Sequence, residues 1–293
     1  MSSISGIQDL DQMEIRAVLE VAKELVYKNR VVKIEVLFNI AKRRLKLKSL
    51  GLKLILKYLF ENKILVEGSK IIKSEVLSNE MRALIYKFIQ KYPGVNFSAL
   101  KNNLTSEFDE YDIKMGTGQL IWHVEILMKY EFLRKIEFKK YTLYFPYIMD
   151  PEHAKYYFLL RDQINRKIIK TLIEKDSLKQ ADIPNIINEL KGSVYYHIKS
   201  LKKENILNSE TRSGALEVWL NQEKRALIIE ILDEIEQKLS ELKEKYNVKK
   251  VEDKEDIEEK IEEEQEDVVE RELIEIPEEK EKPKKRENRI KLL

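Results

Sequence analysis

The sequence predicts a mainly α-helical protein with small β-hairpins, built from repeated modules that are followed by a C-terminal helix and a charged tail. Helix breakers are scarce, since the 293 residues include only 8 Gly and 6 Pro. Hydrophobic residues make up 43% of the chain, which is enough to fill packed cores. A segment that begins at Gly118 recurs in similar form at Gly192, and such self-similarity indicates a repeat architecture.

The repeated segments are GQLIWHVEILMKYEFL and GSVYYHIKSLKKENIL, which align with an offset of 74 residues. The alignment pairs Trp122 with Tyr196 and His123 with His197. Apolar residues at i, i+4 and i+7 spacing mark one face of each segment as the buried face of a helix. We therefore predict two equivalent helices, one in each module.

A second matching helix precedes each of these segments. EMRALIYKFIQK and NRKIIKTLIEK align with an offset of 84 residues, so that Arg82 matches Arg166. The difference between the two offsets gives the earlier module ten extra residues, which we assign to the acidic loop 105–114. A degraded third copy lies upstream, where LGLKLILKYLFENKIL carries Ile55 in place of the His.

Each module has the same predicted order of elements. An amphipathic first helix, such as 81–91, is followed by a turn at Pro93-Gly94 and a short second helix. A longer third helix comes next, such as 117–130, and after it two alternating strands meet at a Lys139-Lys140 turn. In the last module, ILNSETRSGALEVWLN supplies the equivalent hairpin. Three helices followed by a β-hairpin make a winged helix-turn-helix.

These elements divide the chain into six segments. They are a disordered N-terminus (1–9), a degenerate winged-helix module (10–77), two further winged-helix modules (78–150 and 151–221), a helix (222–247) and a charged, largely disordered tail (248–293). We refer to the three modules, in chain order, as copy one, copy two and copy three.

Residues 80–221 resemble winged-helix transcriptional regulators of the ArsR and MarR type. In those families a small polar residue and an aliphatic residue precede an aromatic-His-aliphatic triplet, and a Leu follows three residues later. Here the motif reads GTGQLIWHVEIL in copy two and GSVYYHIKSL in copy three. The run KYPGVNFSAL is also similar to archaeal regulators that carry two winged helices in tandem. The resemblance implies a DNA-binding transcription regulator, although the 105–114 insertion and the shortened INELKGS turn depart from the pattern.

The resemblance also implies that the third helices enter the major groove of double-stranded DNA and that the wings contact the phosphate backbone. Polar and basic side chains on the exposed face of a third helix are suited to base edges and phosphates. The predicted DNA-binding residues are Lys42, Arg43, Arg44, Lys48 and Lys53 in copy one, Thr117, Gln119, Ile121, Trp122, Lys139 and Lys140 in copy two, and Ser193, Tyr195, Tyr196, Lys199 and Arg212 in copy three.

A second function class stands beside this one, namely a non-catalytic winged-helix scaffold or interaction subunit of a transcription, chromosome or ESCRT-type complex. The exposed face of copy two is poor in charge and carries Glu125, which argues that not every copy touches DNA. The basic run AKRRLKLK is equally typical of a solvated helical face, and Trp122 and Tyr196 fit packing between modules equally well. Duplex binding across a salt series separates the two classes, because phosphate contacts lose affinity steeply with salt.

Composition and motifs disfavour several classes of chemistry. The chain has no Cys, so it has no disulfide, Cys-ligated zinc site or thiol nucleophile. Its three His residues lack the partners that a metal site needs, and we predict structural roles for His123 and His197. Neither a phosphate-binding glycine loop nor a GxSxG or HExxH motif occurs. We expect neither enzymatic activity nor a cofactor or bound metal.

The sequence also gives no sign of a membrane segment. The N-terminus MSSISGIQDLDQMEI has no basic region followed by an apolar stretch. No window approaches the ~20 apolar residues that cross a bilayer, and the densest run, LKLILKYLF, is interrupted by lysines. We expect a cytoplasmic protein with no membrane partner.

The helix after the last hairpin carries a heptad pattern, with apolar residues at alternating spacings of 4 and 3 over about 2.5 heptads. The predicted dimerisation residues are Ile228, Leu232, Ile235, Leu239 and Leu242. A homodimer through this helix would suit palindromic DNA sites. The alternative is a terminal helix that packs back on its own module, which the extra apolar residues Leu227 and Ile229 also fit.

The tail separates opposite charges that the formal net charge of +2 conceals. Residues 248–293 hold 12 Lys and Arg against 18 Asp and Glu, a net charge of −6, which leaves +8 for residues 1–247. A modest positive charge on the body permits a polyanionic partner. The tail segment DVVERELIEIP combines apolar and acidic residues, so we expect either a protein partner there or competition with DNA for the basic body.

Overall fold

The computed structural model describes residues 12–107 and 115–241, including their side chains except those of 105–107. The chain divides into two units, Met1–Ile235 and Glu236–Leu293. Within the described residues the protein is mainly helical and has two small antiparallel sheets, which confirms the predicted fold class. The predicted N-terminal segment 1–9, most of the loop 105–114 and the tail 248–293 lie outside the described residues.

Copy one consists of three helices around one apolar core. These are α1 (Gln12–Tyr27), α2 (Ile34–Leu45) and α3 (Ser49–Glu61), and the short α4 (Lys73–Val76) follows them. The inward residues of the three helices meet in one cluster that includes Val18, Leu37, Leu52, Ile55 and Leu59. Ile55, which takes the His position of the repeat, is fully buried in this cluster.

The β-hairpin is missing from copy one, since its described residues form no strand. The backbone of Val32 instead pairs with the turn after α3. Val32 N donates to Ser69 O at 2.8 Å, and Gly68 N donates to Val32 O at 2.8 Å. Copy one thus has two backbone hydrogen bonds in place of the sheet that the other copies have. This difference in structure agrees with the weak sequence match of copy one.

Copy two contains the predicted helices and hairpin together with one additional short strand. Its elements are α5 (Glu80–Lys91), β1 (Val95–Asn96), α6 (Phe97–Glu107), α7 (Thr117–Lys129), β2 (Leu133–Phe138) and β3 (Tyr141–Pro146). The strands form an antiparallel sheet in the order β1-β3-β2. The core draws on all three helices through Ile85, Phe88, Leu100, Leu120, Val124 and Leu127.

Copy three repeats this order after a connecting helix, α8 (Pro151–Leu160), whose first turn Asp150 caps. Its elements are α9 (Gln163–Lys175), β4 (Ser177–Lys179), α10 (Ile183–Ile187), α11 (Lys191–Lys203), β5 (Leu207–Arg212) and β6 (Ala215–Leu220). The sheet order, β4-β6-β5, is the counterpart of that in copy two. A last helix, α12, spans residues 225–241.

Backbone hydrogen bonds recur at the offset of 74 residues that relates the third helices. Tyr147 N donates to Phe132 O, and 74 residues later Asn221 N donates to Ile206 O, both at 2.9 Å. Each bond joins the residue after the hairpin to the residue before it, and so closes the base of the wing. The local structure therefore repeats together with the sequence.

Copies one and two are joined by a buried tyrosine. The hydroxyl of Tyr130, at the end of α7, donates to Ser69 Oγ at 2.6 Å and also contacts Ile71 O. Both partners lie in the segment that leads out of copy one. Burial raises the pKa of Tyr130, so its hydroxyl stays a donor at neutral pH. This contact fixes the end of copy one against the third helix of copy two.

Copies two and three are joined through α8 and the residue that ends it, Arg161. The Arg161 guanidinium donates to Tyr92 O at 2.8 Å, to Pro93 O at 2.6 Å and to Gly94 O at 3.1 Å. Gly94 has φ +71, and a Cβ there would lie 2.2 Å from the carbonyl oxygen of Ala154 on α8. Only glycine therefore lets the two backbones approach this closely.

The helix α12 packs on its own chain, in contrast to the predicted dimer seam. Ile228, Leu232 and Ile235 are buried within a single chain. Polar contacts join this helix and the residue before it to α8, where the Tyr157 hydroxyl bonds to Glu234 and Lys224 Nζ lies 2.5 Å from Glu152 Oε1. Because they are already buried within one chain, Ile228, Leu232 and Ile235 are not available to a second copy. Leu239 is half-buried, and Leu242 lies outside the described residues.

Candidate nucleic-acid interface

The third helices, α3, α7 and α11, each bury one stripe of side chains and expose the opposite face. The buried residues recur at the predicted spacing. They are Leu52, Leu56 and Leu59 on α3, Leu120, Val124 and Leu127 on α7, and Val194, Ile198 and Leu201 on α11. One exposed position carries a large apolar residue in every copy. Leu54 is 40% exposed, Trp122 is 54% exposed and Tyr196 is 64% exposed. The residue three positions later differs between copies, being Lys57, Glu125 and Lys199.

Copy one carries the most basic surface. Lys42, Arg43 and Arg44 lie in the last turn of α2, one helix earlier than the sequence analysis implied, while Lys48 precedes α3 and Lys53 lies on its exposed face. Of these five residues, only Arg44 has a carboxylate partner among the described residues. The Lys42 ammonium lies 5.9 Å from the Phe38 ring centroid. Basic side chains without carboxylate partners are suited to phosphates.

Arg44 differs from its neighbours because its charge is already compensated. Its Nη1 atom lies 2.6 Å from Glu24 Oε2 on α1. The hydrogen bond and the charge of Arg44 lower the pKa of Glu24, so this carboxylate is ionised at neutral pH. The pair fastens α2 to α1, and Arg44 is the weakest of the predicted phosphate contacts in copy one.

The third helix of copy two is exposed as predicted, but it carries little positive charge. Thr117, Gln119, Ile121 and Trp122 are all exposed on α7. Gln119 Oε1 accepts from Gly116 N at 3.2 Å, so this side chain helps to cap its own helix. Glu125 is also exposed, and a carboxylate repels phosphate.

The wing of copy two turns toward copy three. Lys139, with φ +55, occupies the tip of the hairpin. Its Nζ atom donates to Ser200 Oγ on α11 at 2.7 Å. Lys140 is exposed beside it, 5.4 Å from the Tyr141 ring centroid. Lys139 therefore serves as a contact between copies, a role that no sequence pattern indicated.

Behind this tip, the inner side of the hairpin rests on α8. Phe138 and Tyr141 both contact the ring of Phe158, with centroid distances of 5.8 and 5.2 Å. The wing is consequently packed between the connecting helix and α11. Lys139 and Lys140 at its tip stay exposed, but the contacts with Phe158 and Ser200 fix the direction in which the wing points.

Copy three exposes a polar and aromatic face on α11. Tyr196 and Lys199 are exposed, whereas Ser193 and Tyr195 are half-buried. The Lys191 ammonium lies 5.5 Å from the Tyr195 ring centroid and adds positive charge at the start of the helix. This face combines hydroxyl groups with ammonium groups, which is the chemistry expected of a helix in the major groove.

The predicted wing contact of copy three, Arg212, is largely neutralised. Its guanidinium lies 3.0 Å from Glu210 and 3.7 Å from Glu217, and it stacks over Trp219 at 4.9 Å. Surface ion pairs are weak individually, but two carboxylates around one arginine leave no net positive charge at this wing. The prediction missed this because Glu217 joins the group only through the strand pairing.

The two histidines of the repeat are structural, as predicted, but their environments differ. His197 Nδ1 lies 2.9 Å from Asn165 Oδ1, and Asp162 is 3.6 Å away. His123 is buried, and its Nδ1 atom finds no hydrogen-bond partner among the described residues. Burial, with a smaller effect of the Arg82 charge, lowers the pKa of His123.

The described residues contain no group of three or more His, Cys, Asp or Glu side chains that could hold a metal ion. In the same part of the chain, no helix is both long enough and apolar enough to span a bilayer.

Helices with small antiparallel sheets, arranged in this way, are compatible with the helix-turn-helix class of proteins. No family model matches the sequence. Over 150 residues the chain is 24% identical to a protein of Methanocaldococcus jannaschii that is described as an uncharacterized HTH-type transcriptional regulator. The match covers 51% of this chain and 36% of that protein, so the chain spans little more than a third of its relative's length.

Proposed function

We propose that the protein is a DNA-binding transcription regulator built from tandem winged helices, without enzymatic activity, that works in the cytoplasm. The observation that carries the proposal is the basic surface of α2 and α3, where Lys42, Arg43, Lys48 and Lys53 have no carboxylate partner among the described residues. The similarity to an HTH-type transcriptional regulator supports the same function class.

In this proposal α3 and α11 enter the major groove, and α7 does not. Lys53 and Lys199 occupy the exposed faces of α3 and α11 and would neutralise phosphates. Tyr196 would stack on or contact base edges, and Ser193 would donate to the backbone. Glu125 on α7 would instead face the phosphates with a like charge. Copies one and three are therefore the proposed readers of DNA.

The test is duplex binding, followed by fluorescence anisotropy, between about 50 and 200 mM salt. Each phosphate contact contributes about −0.9 to the slope of log K against log salt. The double substitution Lys48→Ala with Lys53→Ala should therefore make the slope shallower by about 1.8. The matched control is Lys28→Ala, an exposed lysine just after α1 and outside the α2–α3 surface, which should leave the slope unchanged.

Two results would overturn the proposal. One is the absence of duplex binding by the full chain at about 50 mM salt. The other is binding whose slope responds equally to Lys28→Ala and to the α2–α3 substitutions, because that would indicate nonspecific attraction to the whole basic body. Selection from a random duplex pool then shows whether binding is sequence-specific, as a regulator requires.

A further inference from the structure

The exposed face of α7 is an unassigned surface of mixed character. It consists of Ile121, Trp122, Glu125 and Lys129, which we call the α7 face. Ile121 is 42% exposed and Trp122 is 54% exposed, so two large apolar side chains lie side by side in solvent. Tryptophan in such a position is enriched among residues that dominate binding energy at protein interfaces.

The charges of the α7 face form no ion pair with any other described residue. Glu125 and Lys129 are four residues apart on one helix, where an ion pair is common, yet they form none among the described residues. The outer side of the adjacent strand β2 adds a second pair of opposite charges, Lys135 and Glu137. Glu125 and Glu137 both lie close enough to Tyr144 to raise its pKa, although burial is the larger cause.

This arrangement is poorly suited to DNA. The two carboxylates repel phosphate, Gln119 is engaged in capping, and Lys139 at the wing tip is held by Ser200. The equivalent position of Glu125 is a lysine in both other copies, Lys57 and Lys199. Copy two thus differs from copies one and three, because it carries a negative charge at an exposed position where they carry a positive one.

The same arrangement is suited to a copy of itself. In a two-fold symmetric interface each residue meets the complementary residue of the other subunit, so a surface must be self-complementary. The α7 face holds one acid and one base, and the adjacent strand β2 adds Lys135 and Glu137. The surface therefore has no net charge, and every acid can face a base of the other copy. An antiparallel pair of α7 helices would bring Glu125 of one copy toward Lys129 of the other.

We propose that two copies of the chain associate through the α7 face, with Glu125 and Lys129 as reciprocal ion pairs about the two-fold axis and with Trp122 and Ile121 as apolar contacts on either side of them. This interface replaces the α12 seam, whose residues are buried within one chain. The proposal does not depend on DNA binding, because it concerns a surface that α3 and α11 leave free.

The experiment is sedimentation equilibrium of the full chain without DNA over a range of micromolar concentrations. Wild type is expected to form a dimer. Trp122→Ala should raise the dimer dissociation constant about 30-fold, as loss of an interface hot spot does. Glu125→Lys should raise it about tenfold, since it puts two lysines opposite each other.

The decisive variant reverses both charges. Glu125→Lys combined with Lys129→Glu restores self-complementarity, and its dissociation constant should return to within about threefold of wild type. The matched control is Lys199→Glu with Lys203→Glu, the equivalent exposed positions on α11, which should leave the dimer intact. Circular dichroism of every variant checks that the helices are retained.

Three outcomes would overturn the proposal. They are a monomeric wild type throughout the concentration range, assemblies larger than a dimer, and a dimer that Trp122→Ala and Glu125→Lys leave unchanged. The last outcome would place the contact elsewhere on the chain. None of them bears on duplex affinity, so this inference and the proposed function stand or fall separately.

Discussion

The ammonium of Lys139, at the tip of the β2–β3 hairpin, donates to the hydroxyl of Ser200 on α11 at 2.7 Å. The two residues are 61 positions apart in sequence and belong to different copies of the repeat. A side chain that the resemblance assigns to DNA is therefore a contact between copies.

Removing Lys139 should affect the junction between copies rather than DNA binding. In the proposed function Lys53→Ala makes the salt slope shallower by about 0.9. Lys139→Ala should leave the slope unchanged, because its ammonium is held at α11. A double-mutant cycle of Lys139→Ala and Ser200→Ala, measured by urea unfolding, should give a coupling of about 0.5 kcal/mol, as for an exposed pair. A zero coupling together with a shallower salt slope would return Lys139 to the DNA interface.

Arg161 should be intolerant even of lysine. Three carbonyl oxygens accept from its guanidinium, and desolvation by burial lowers the pKa of Arg161 to about 10. A lysine has one ammonium and cannot reach three acceptors along a turn. Arg161→Lys should therefore lower the free energy of unfolding by about 2–3 kcal/mol. Arg16→Lys on the exposed side of α1 is the control and should cost no more than about 0.5 kcal/mol.

His123 should make the protein sensitive to acid. Burial lowers the pKa of His123 from 6.5, so below that pH the unfolded state binds a proton that the folded state does not. The free energy of unfolding then falls as the pH drops through this range. His123→Ile, which installs the residue of copy one, should reduce that acid dependence. It should also stabilise the fold by about 1 kcal/mol at neutral pH, since an unsatisfied nitrogen is removed.

The counterpart in copy three should respond in the opposite way. His197 bonds to Asn165, so His197→Ile leaves the Oδ1 atom of the buried Asn165 without a donor and should destabilise by about 1–2 kcal/mol. Urea unfolding at pH 7 and at pH 5 measures both variants. Equal effects of the two substitutions would show that the orphaned nitrogen of His123 has no energetic consequence.

Leu232 should behave as a core residue and not as an interface residue. It is 2% exposed within a single chain. Leu232→Ala should lower the free energy of unfolding by about 2–4 kcal/mol through the cavity that it leaves. The oligomeric state measured by sedimentation should remain that of wild type. A variant of normal stability that no longer dimerises would restore the heptad seam as the dimer interface.

Local periodicity was sufficient to predict the third helices. Leu120, Val124 and Leu127 recur at helical spacing, and the structure buries all three. The turn at Lys139-Lys140 was equally accessible, because alternating apolar residues stop on either side of it. Such features depend on neighbours within a few residues, where spacing alone determines which side faces the core.

The features that sequence reasoning missed depend on contacts between distant residues. Arg212 reads as a free base until strand pairing brings Glu217 beside it. The heptad in α12 fits a dimer seam and a packed helix equally well, and only the burial of Ile228, Leu232 and Ile235 within one chain decides between them. In copy two, Met81 occupies the place that Asn165 holds in copy three, so His123 Nδ1 has no hydrogen-bond partner among the described residues.

The position of α8 determines where the chain can be cut into independent fragments. A fragment that ends at residue 150 would keep Phe138 and Gly94 but lose Phe158, Ala154 and Arg161, which cover them. A fragment that begins at residue 151 would carry those same side chains into solvent. A fragment meant to contain copy two by itself should therefore extend through Arg161.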